Sequence, residues 1–208
     1  MKLLCFDLDG TLLDTLTDLA DSINYTRKYF GLKEISHEAV RVAIGDGVYQ
    51  LVERTFPEFS EHKHVMQIYT KYYAEHSCIA PKLYPHVQET LQYFSGKAKL
   101  AVITNKNEAA AIKILKHFDV LQLFENVIGG DTFEFIKPNP YSFNHLLNLY
   151  QIEAENAWMI GDHWTDIFTA YNAGAKSAFY INGMGEITDK EPNLRFSDFN
   201  ELPKLFQI

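Results

Sequence analysis

Cysteine is nearly absent from this chain: two residues in 208, Cys5 in the first apolar run and Cys78 far along the sequence. That count and spacing give no disulfide framework and no cysteine metal knuckle. Two reduced thiols suit a reducing compartment, so the expected location is the cytoplasm. Long apolar runs are also missing. None approaches the ~20 residues that cross a bilayer, so no membrane partner is expected. The N-terminal apolar stretch is interrupted by Asp7 and Asp9 too early for a secretory signal. A third absence is any cluster of lysine or arginine. Lys and Arg number 19 against 27 Asp and Glu, a formal charge of −8, which leaves no basic footprint for nucleic acid. An acidic protein that takes a small anion needs a cation to offset repulsion locally, and this points toward a metal. There is no internal repeat and no low-complexity tract.

What is present is an ordinary globular composition, 47% hydrophobic and 22% charged, long enough for a substantial core and a small second domain. Several short apolar runs end in polar residues: Lys2 to Phe6 at Asp7, Leu100 to Ile103 at Thr104-Asn105, Asn126 to Ile128 at Gly129-Gly130-Asp131, Ala157 to Ile160 at Gly161-Asp162, and Ser177 to Ile181 at Asn182-Gly183. None alternates clearly, which is how parallel strands buried on both faces read. Helical spacing runs between them, over Asn107 to Phe118, over Tyr141 to Tyr150 behind an Asn139 cap and Pro140 in the first helical position, and over Trp164 to Ala173 before Gly174. The alternation predicts an α/β fold with a doubly wound, Rossmann-like parallel sheet, whose strand C-termini share one edge.

The segment from about Asp14 to Leu83 has no such strand run. Its pattern is helical, over Asp14 to Phe30, Ser36 to Ile44, Val48 to Phe56 and Ser60 to Cys78. The expected division is an α/β core of residues 1–13 plus 84–208 carrying a helical insert of residues 14–83, with return through the proline-bounded Pro81 to Pro85.

Four elements carry chemistry. Asp7 and Asp9, two apart at a strand end, project to one side. One carboxylate attacking phosphorus and the other acting as acid and then base is a recognised route for phosphoryl transfer; a solvated polar turn is the competing reading of the pair alone. Asp162 ends a strand and Asp166 lies four residues on, a spacing expected to stack them on one helical face. Joined to Asp7 they make an all-oxygen site suited to Mg2+, although acids also cap helix N-termini. Thr104-Asn105 offers a hydroxyl and backbone N–H groups to a phosphate, or a plain N-cap. Lys137, before Pro138-Asn139-Pro140, can offset phosphoryl charge. All four fall at the sheet edge where open α/β folds bind ligands.

In this order the motifs resemble the haloacid dehalogenase superfamily of phosphohydrolases, over essentially the whole chain, with the helical insert in the position of that family's cap domain. The resemblance implies Asp7 as nucleophile and metal ligand, and Asp9 as acid/base that also offers its backbone carbonyl to magnesium. It implies Asp162 as a metal ligand, Asp166 as a ligand through water or a supporting residue, and Thr104, the Asn105 backbone and Lys137 as the phosphate cradle. Asp9 argues for phosphate chemistry over halide displacement. Thr104-Asn105-Lys106, Lys137-Pro138-x-Pro140 and Ile44-Gly45-Asp46-Gly47 are similar to the wording of the phosphoglycolate phosphatase group, with Asn139 standing where that group usually has histidine. On this reading Gly45, Asp46 and Gly47 form a substrate-binding loop, or simply a glycine turn between helices. The implied activity is hydrolysis of a small phosphorylated metabolite by a monomer or homodimer; a phosphomutase, pyrophosphatase or nucleotidase of the same superfamily and a non-catalytic binding module are the rivals. His163, beside Asp162, is expected at a helix N-terminus. The other histidines show no zinc-ligand spacing.

Overall fold

Leu3, Leu4, Cys5 and Phe6 have no solvent exposure, and their side chains divide between two cores. Leu4 and Phe6 pack with Leu100, Val102, Trp158 and Ile160 on one face of a sheet. Leu3 and Cys5 pack with Ala101, Ile103, Ala157 and Met159 on the other. Covered on both faces, these strands have no reason to alternate apolar with polar, so their runs are continuously apolar.

The structure, a computed structural model, describes residues 1–208. In chain order the elements are β1 (Leu3–Phe6), β2 (Leu13–Asp14), α1 (Leu16–Tyr29), α2 (His37–Arg41), α3 (Val48–Thr55), α4 (Lys63–His76), β3 (Lys82–Leu83), α5 (Val87–Phe94), β4 (Lys99–Ile103), α6 (Glu108–His117), β5 (Asn126–Ile128), α7 (Tyr141–Tyr150), β6 (Ala157–Gly161), α8 (Trp164–Asn172), β7 (Lys176–Tyr180), β8 (Leu194–Phe196) and α9 (Leu202–Phe206). The main sheet runs β5-β4-β1-β6-β7-β8, every pair parallel. Helices α5, α6 and α9 cover one face, and α7 and α8 the other. This is the doubly wound α/β fold expected from the sequence. No helix is long and apolar enough to cross a membrane.

Register decides where the site forms. Phe6 is level with Val102 and Ile160, so the residues that follow β1, β4 and β6 emerge together. The Asp7 amide still donates to Ile160 O at 2.8 Å. From β1 the chain builds outward through β4 and β5, then returns to the opposite side of β1 for β6, which makes the end of β1 a switch point between the two directions.

Helices α1 to α4 surround a separate core that includes Leu19, Ile23, Val40, Val52, Phe56, Val65 and Tyr69. The chain enters and leaves this helical unit along β2 and β3, which pair antiparallel. At its exit, Asp18 accepts from the amides of Ile79 and Ala80 at 2.9 and 3.0 Å.

Three details differ from the sequence reading. Pro140 is itself the N-cap of α7, and Asn139 supports the turn by accepting from the Tyr141 amide at 3.0 Å. Asp162 precedes α8, so it shares no helical face with Asp166; the two meet because a strand end and the third residue of the next helix converge. Helices α5 and α9 and the edge strand β8 carry no strong sequence motif. In β8 only Phe196 of Leu194-Arg195-Phe196 is fully buried, too short an apolar signal to stand out.

Candidate active site

Strand β1 delivers Asp7 to the sheet edge, where it is 6% exposed. Its Oδ1 accepts from the Leu8 amide at 2.7 Å and faces Lys137 Nζ at 2.9 Å. Oδ2 receives no hydrogen bond from the protein, which leaves one oxygen of a buried carboxylate available. Burial, opposed by Lys137 and reinforced by the charge of Asp166, pushes the Asp7 carboxyl up to about 6. Three residues on, the chain turns at Gly10 with φ +84°, and a Cβ there would overlap Asp162 Oδ2. Both the backbone conformation and the space require glycine. The two acids have different partners: Asp9 accepts from Thr15 Oγ1 at 2.6 Å and is held on both oxygens by Lys106 Nζ at 2.9 Å.

Asp162 is bound on every side. Thr11 Oγ1 donates to its Oδ1 at 2.6 Å, and the Met184 and Gly185 amides donate to its Oδ2 at 2.8 and 2.9 Å. Even so, burial and then the charges of Asp7 and Asp166 push it up to about 7. Asp166 accepts from the His163 amide at 3.0 Å as half of the capping box that starts α8, and its Oδ1 takes Lys137 Nζ at 2.6 Å. Burial pulls the Lys137 ammonium down, but Asp166 and Asp7 together more than offset it and hold it above the ordinary lysine value. Side-chain oxygens of Asp7, Asp162 and Asp166 lie within 4.8 Å of one another, all buried. With all three carboxylates ionised, they leave two negative charges against the one ammonium, which one divalent cation would balance. A buried, all-carboxylate donor set fits Mg2+ rather than a softer metal.

These residues open onto a cavity of about 500 Å³ between the sheet edge and the helical unit, in the range of small-ligand sites. Asp7, Asp9, Asp162, Thr104, Asn105, Gly45 and Gly47 line it; Lys137 and Asp166 stand outside the lining. Asp46 turns its carboxylate to Arg54 at 2.5 Å. The Asn105 side chain faces protein rather than open cavity: it accepts from the Lys137 amide at 2.9 Å and donates to the carbonyls of Lys137 and Gly45, each at 3.0 Å. Arg41 Nη1 donates to Met184 O at 2.6 Å and adds a second bridge from the helical unit to the core. Gly45, at φ +117°, lies so close to His163 that a Cβ would stand 2.5 Å from its Nε2. His163 therefore starts α8, as its position suggested, and also forms cavity wall.

Sequence reasoning missed Lys106, Thr11, Thr15, Arg41 and the Met184-Gly185 amides. The only sequence signal for Lys106 is its place beside Thr104-Asn105, three residues past the end of β4. The others act through loops whose path no local pattern records.

Residues 4–180 match the model of the family described as haloacid dehalogenase-like hydrolase. The chain belongs to the haloacid dehalogenase-like hydrolases. This hydrolase is 34% identical over 206 residues to the phosphoglycolate phosphatase of Aquifex aeolicus, covering 99% of this chain and 96% of that one. It is also 34% identical to the phosphoglycolate phosphatase of Haemophilus influenzae strain 86-028NP, covering 97% and 96%. Among solved structures, the hydrolase superposes on a predicted phosphoglycolate phosphatase from Haemophilus somnus with a TM-score of 0.93 at 33% identity, covering 99% and 97%. A haloacid dehalogenase-like family protein from Streptococcus pneumoniae, 23% identical, shares the fold with a TM-score of 0.88.

Proposed function

We propose that this hydrolase is a Mg2+-dependent phosphatase acting on a small phosphorylated metabolite, a phosphoglycolate-like monoester, through an aspartyl phosphate on Asp7. The observation that carries the reading is the division of labour at the end of β1. Asp7 keeps one oxygen free of protein hydrogen bonds, and Asp9 stands in the same cavity on a different set of partners. Asp7 Oδ2 attacks phosphorus in line with the ester bond, the P–O bond to the leaving group breaks, and Asp9 gives its proton to the departing oxygen. Asp9, now a carboxylate, takes a proton from water; that water attacks phosphorus, the Asp7–phosphorus bond breaks, and orthophosphate leaves.

Lys137 holds Asp7 in place, and the Thr104 hydroxyl, the Asn105 backbone and Lys137 form the cradle for the phosphoryl oxygens. Asp7, Asp162 and the Asp9 carbonyl would hold the metal, with Asp166 binding it directly or through water. Bound there, Mg2+ supplies positive charge to the phosphoryl oxygens. Residues 14–83 act as a cap on the core of residues 1–13 and 84–208. Their bridges to the core through Gly45 and Arg41 enclose a space that favours a small substrate and excludes bulk water. The two unpaired thiols, Cys5 and Cys78, fit work in the cytoplasm.

The test is steady-state phosphate release from an aryl phosphate and from phosphorylated two- and three-carbon acids, with Mg2+ and with excess chelator. Release that stops with chelator and returns with Mg2+ is expected, together with acid-stable phosphoryl label on the wild type and none on Asp7→Asn. Full turnover in chelator, or by Asp7→Asn, would refute the reading. Phosphate release without an isomerised product separates a phosphatase from a phosphomutase.

A further inference from the structure

We infer that Lys106, together with the hydroxyl of Tyr73, receives an anionic group on the leaving-group side of the substrate, a carboxylate one or two carbons from the ester oxygen. The inference rests on the phosphatase reading and deepens it by naming what recognises the part of the substrate that does not react.

Position is the first argument. If Asp9 serves the ester oxygen, the leaving group lies against Asp9. Lys106 Nζ is 2.9 Å from both Asp9 oxygens, on a side chain only 5% exposed. A two-carbon acid places its carboxylate within ~4 Å of the ester oxygen at standard bond lengths, which is within reach of that ammonium.

Charge is the second. Asp7, Asp9 and Asp162 all line the cavity and repel a second anionic group on the substrate. Lys137 is committed to Asp7 and Asp166. Arg41 is held by Glu38 and by the Met184 carbonyl, and Lys113, on an exposed side chain, donates to the Ala74 carbonyl. Lys106 is paired too, but with Asp9, the group that serves the leaving oxygen, which places it beside the leaving group.

The third argument is independent of charge. Tyr73 lines the same cavity, with Lys106 Nζ 4.7 Å from its ring centroid, and its buried hydroxyl has no hydrogen-bond partner. Such orphans are uncommon and unfavourable in folded proteins. Burial first and the charge of Asp9 next keep the phenol protonated, so it remains a donor in need of an acceptor. A carboxylate offers two oxygens, one for the ammonium and one for the hydroxyl.

The experiment compares kcat/KM for 2-phosphoglycolate and for 2-hydroxyethyl phosphate, which has the same length with the carboxylate replaced by a hydroxymethyl group. The wild type is expected to favour the carboxylate ester by about 10²-fold or more. Lys106→Met should bring that ratio to within a few-fold of one, mostly through KM. Lys106→Arg should recover part of it, and Tyr73→Phe should lower it by ~5-fold. Losses common to both esters report on Asp9, which Lys106 touches, and cancel in the ratio. Tyr73→Phe and Lys106→Arg keep the test open if Lys106→Met fails to fold. An unchanged ratio in Lys106→Met, or a wild type with no preference between the esters, overturns the inference. So does a wild type that hydrolyses aryl phosphate but neither ester, which leaves the phosphatase reading standing. Hydrolysis of no phosphate ester at all overturns that reading, and the inference with it.

Discussion

The side-chain amide of Asn105 donates to the carbonyl of Gly45 across 3.0 Å while its remaining hydrogen bonds clasp the Lys137 main chain. One residue at the end of β4 thus couples the helical unit to the lysine that holds Asp7. Asn105→Ala is expected to lose this coupling. Leaving the Lys137 and Gly45 groups unpaired costs about 1–3 kcal/mol, a fall in Tm of several degrees at this chain length. KM should rise and kcat should fall together. A variant with wild-type Tm and kinetics in paired melting and steady-state assays would show the clasp to be idle.

The buried acids set a pH dependence. Burial, with the neighbouring carboxylates, pushes Asp7 up to about 6 and Asp162 up to about 7, above their ordinary value. Between pH ~4 and ~7 the folded state therefore binds more protons than the unfolded chain, and stability without metal falls as pH rises through that window. A cation that binds the ionised acids reverses the trend. Addition of Mg2+ should raise Tm clearly at pH 8 and scarcely at pH 5. An equal rise at both values, followed by differential scanning fluorimetry against a chelator control, contradicts this assignment.

Asp9→Asn separates the two carboxylates that follow β1. Loss of a general acid costs about 10²–10⁴-fold. The loss should be greatest with alkyl phosphates, whose leaving oxygen needs the proton, and smaller with an aryl phosphate. Hydrolysis of the covalent intermediate should slow as well, so phosphoryl label accumulates on the protein. Equal losses for alkyl and aryl esters, with no label trapped in rapid quench, would remove Asp9 from the proton path.

Gly45 and His163 allow a steric test. A Cβ at Gly45 stands 2.5 Å from His163 Nε2, and φ +117° is strained for any L side chain. Gly45→Ala should push the loop away from the sheet edge and raise KM. His163→Ala removes the clash but leaves the backbone strain, so the double variant should recover only part of the loss. Strict additivity in the double-mutant cycle would mean that the two residues do not meet in solution.

The strands and their chemistry were legible because each signal is local. Continuous apolar runs ending in Asp7, Thr104 and Asp162 announce doubly covered parallel strands, and a helix start after Asp162 announces a place for Asp166. The pairing of β2 with β3 was not legible, since two-residue strands depend on partners 70 and 68 positions away in the register Leu13 to Leu83 and Asp14 to Lys82 and have no periodicity of their own. The same holds for Met184 and Gly185, ordinary loop residues until the fold brings their amides to Asp162.

The sequence by itself determined which residue types stand at the strand ends, and so the chemistry on offer: carboxylates, a hydroxyl, amides and lysines in a fixed order. Only the tertiary structure decided their assignments. Asp7 and Asp9 sit two residues apart, with the chain bending at Leu8 between them, and one is held by Lys137 while the other is held by Lys106. Adjacency along a chain limits the distance between two side chains, but their hydrogen-bond partners come from strands packed alongside, and those are set by the register of the sheet.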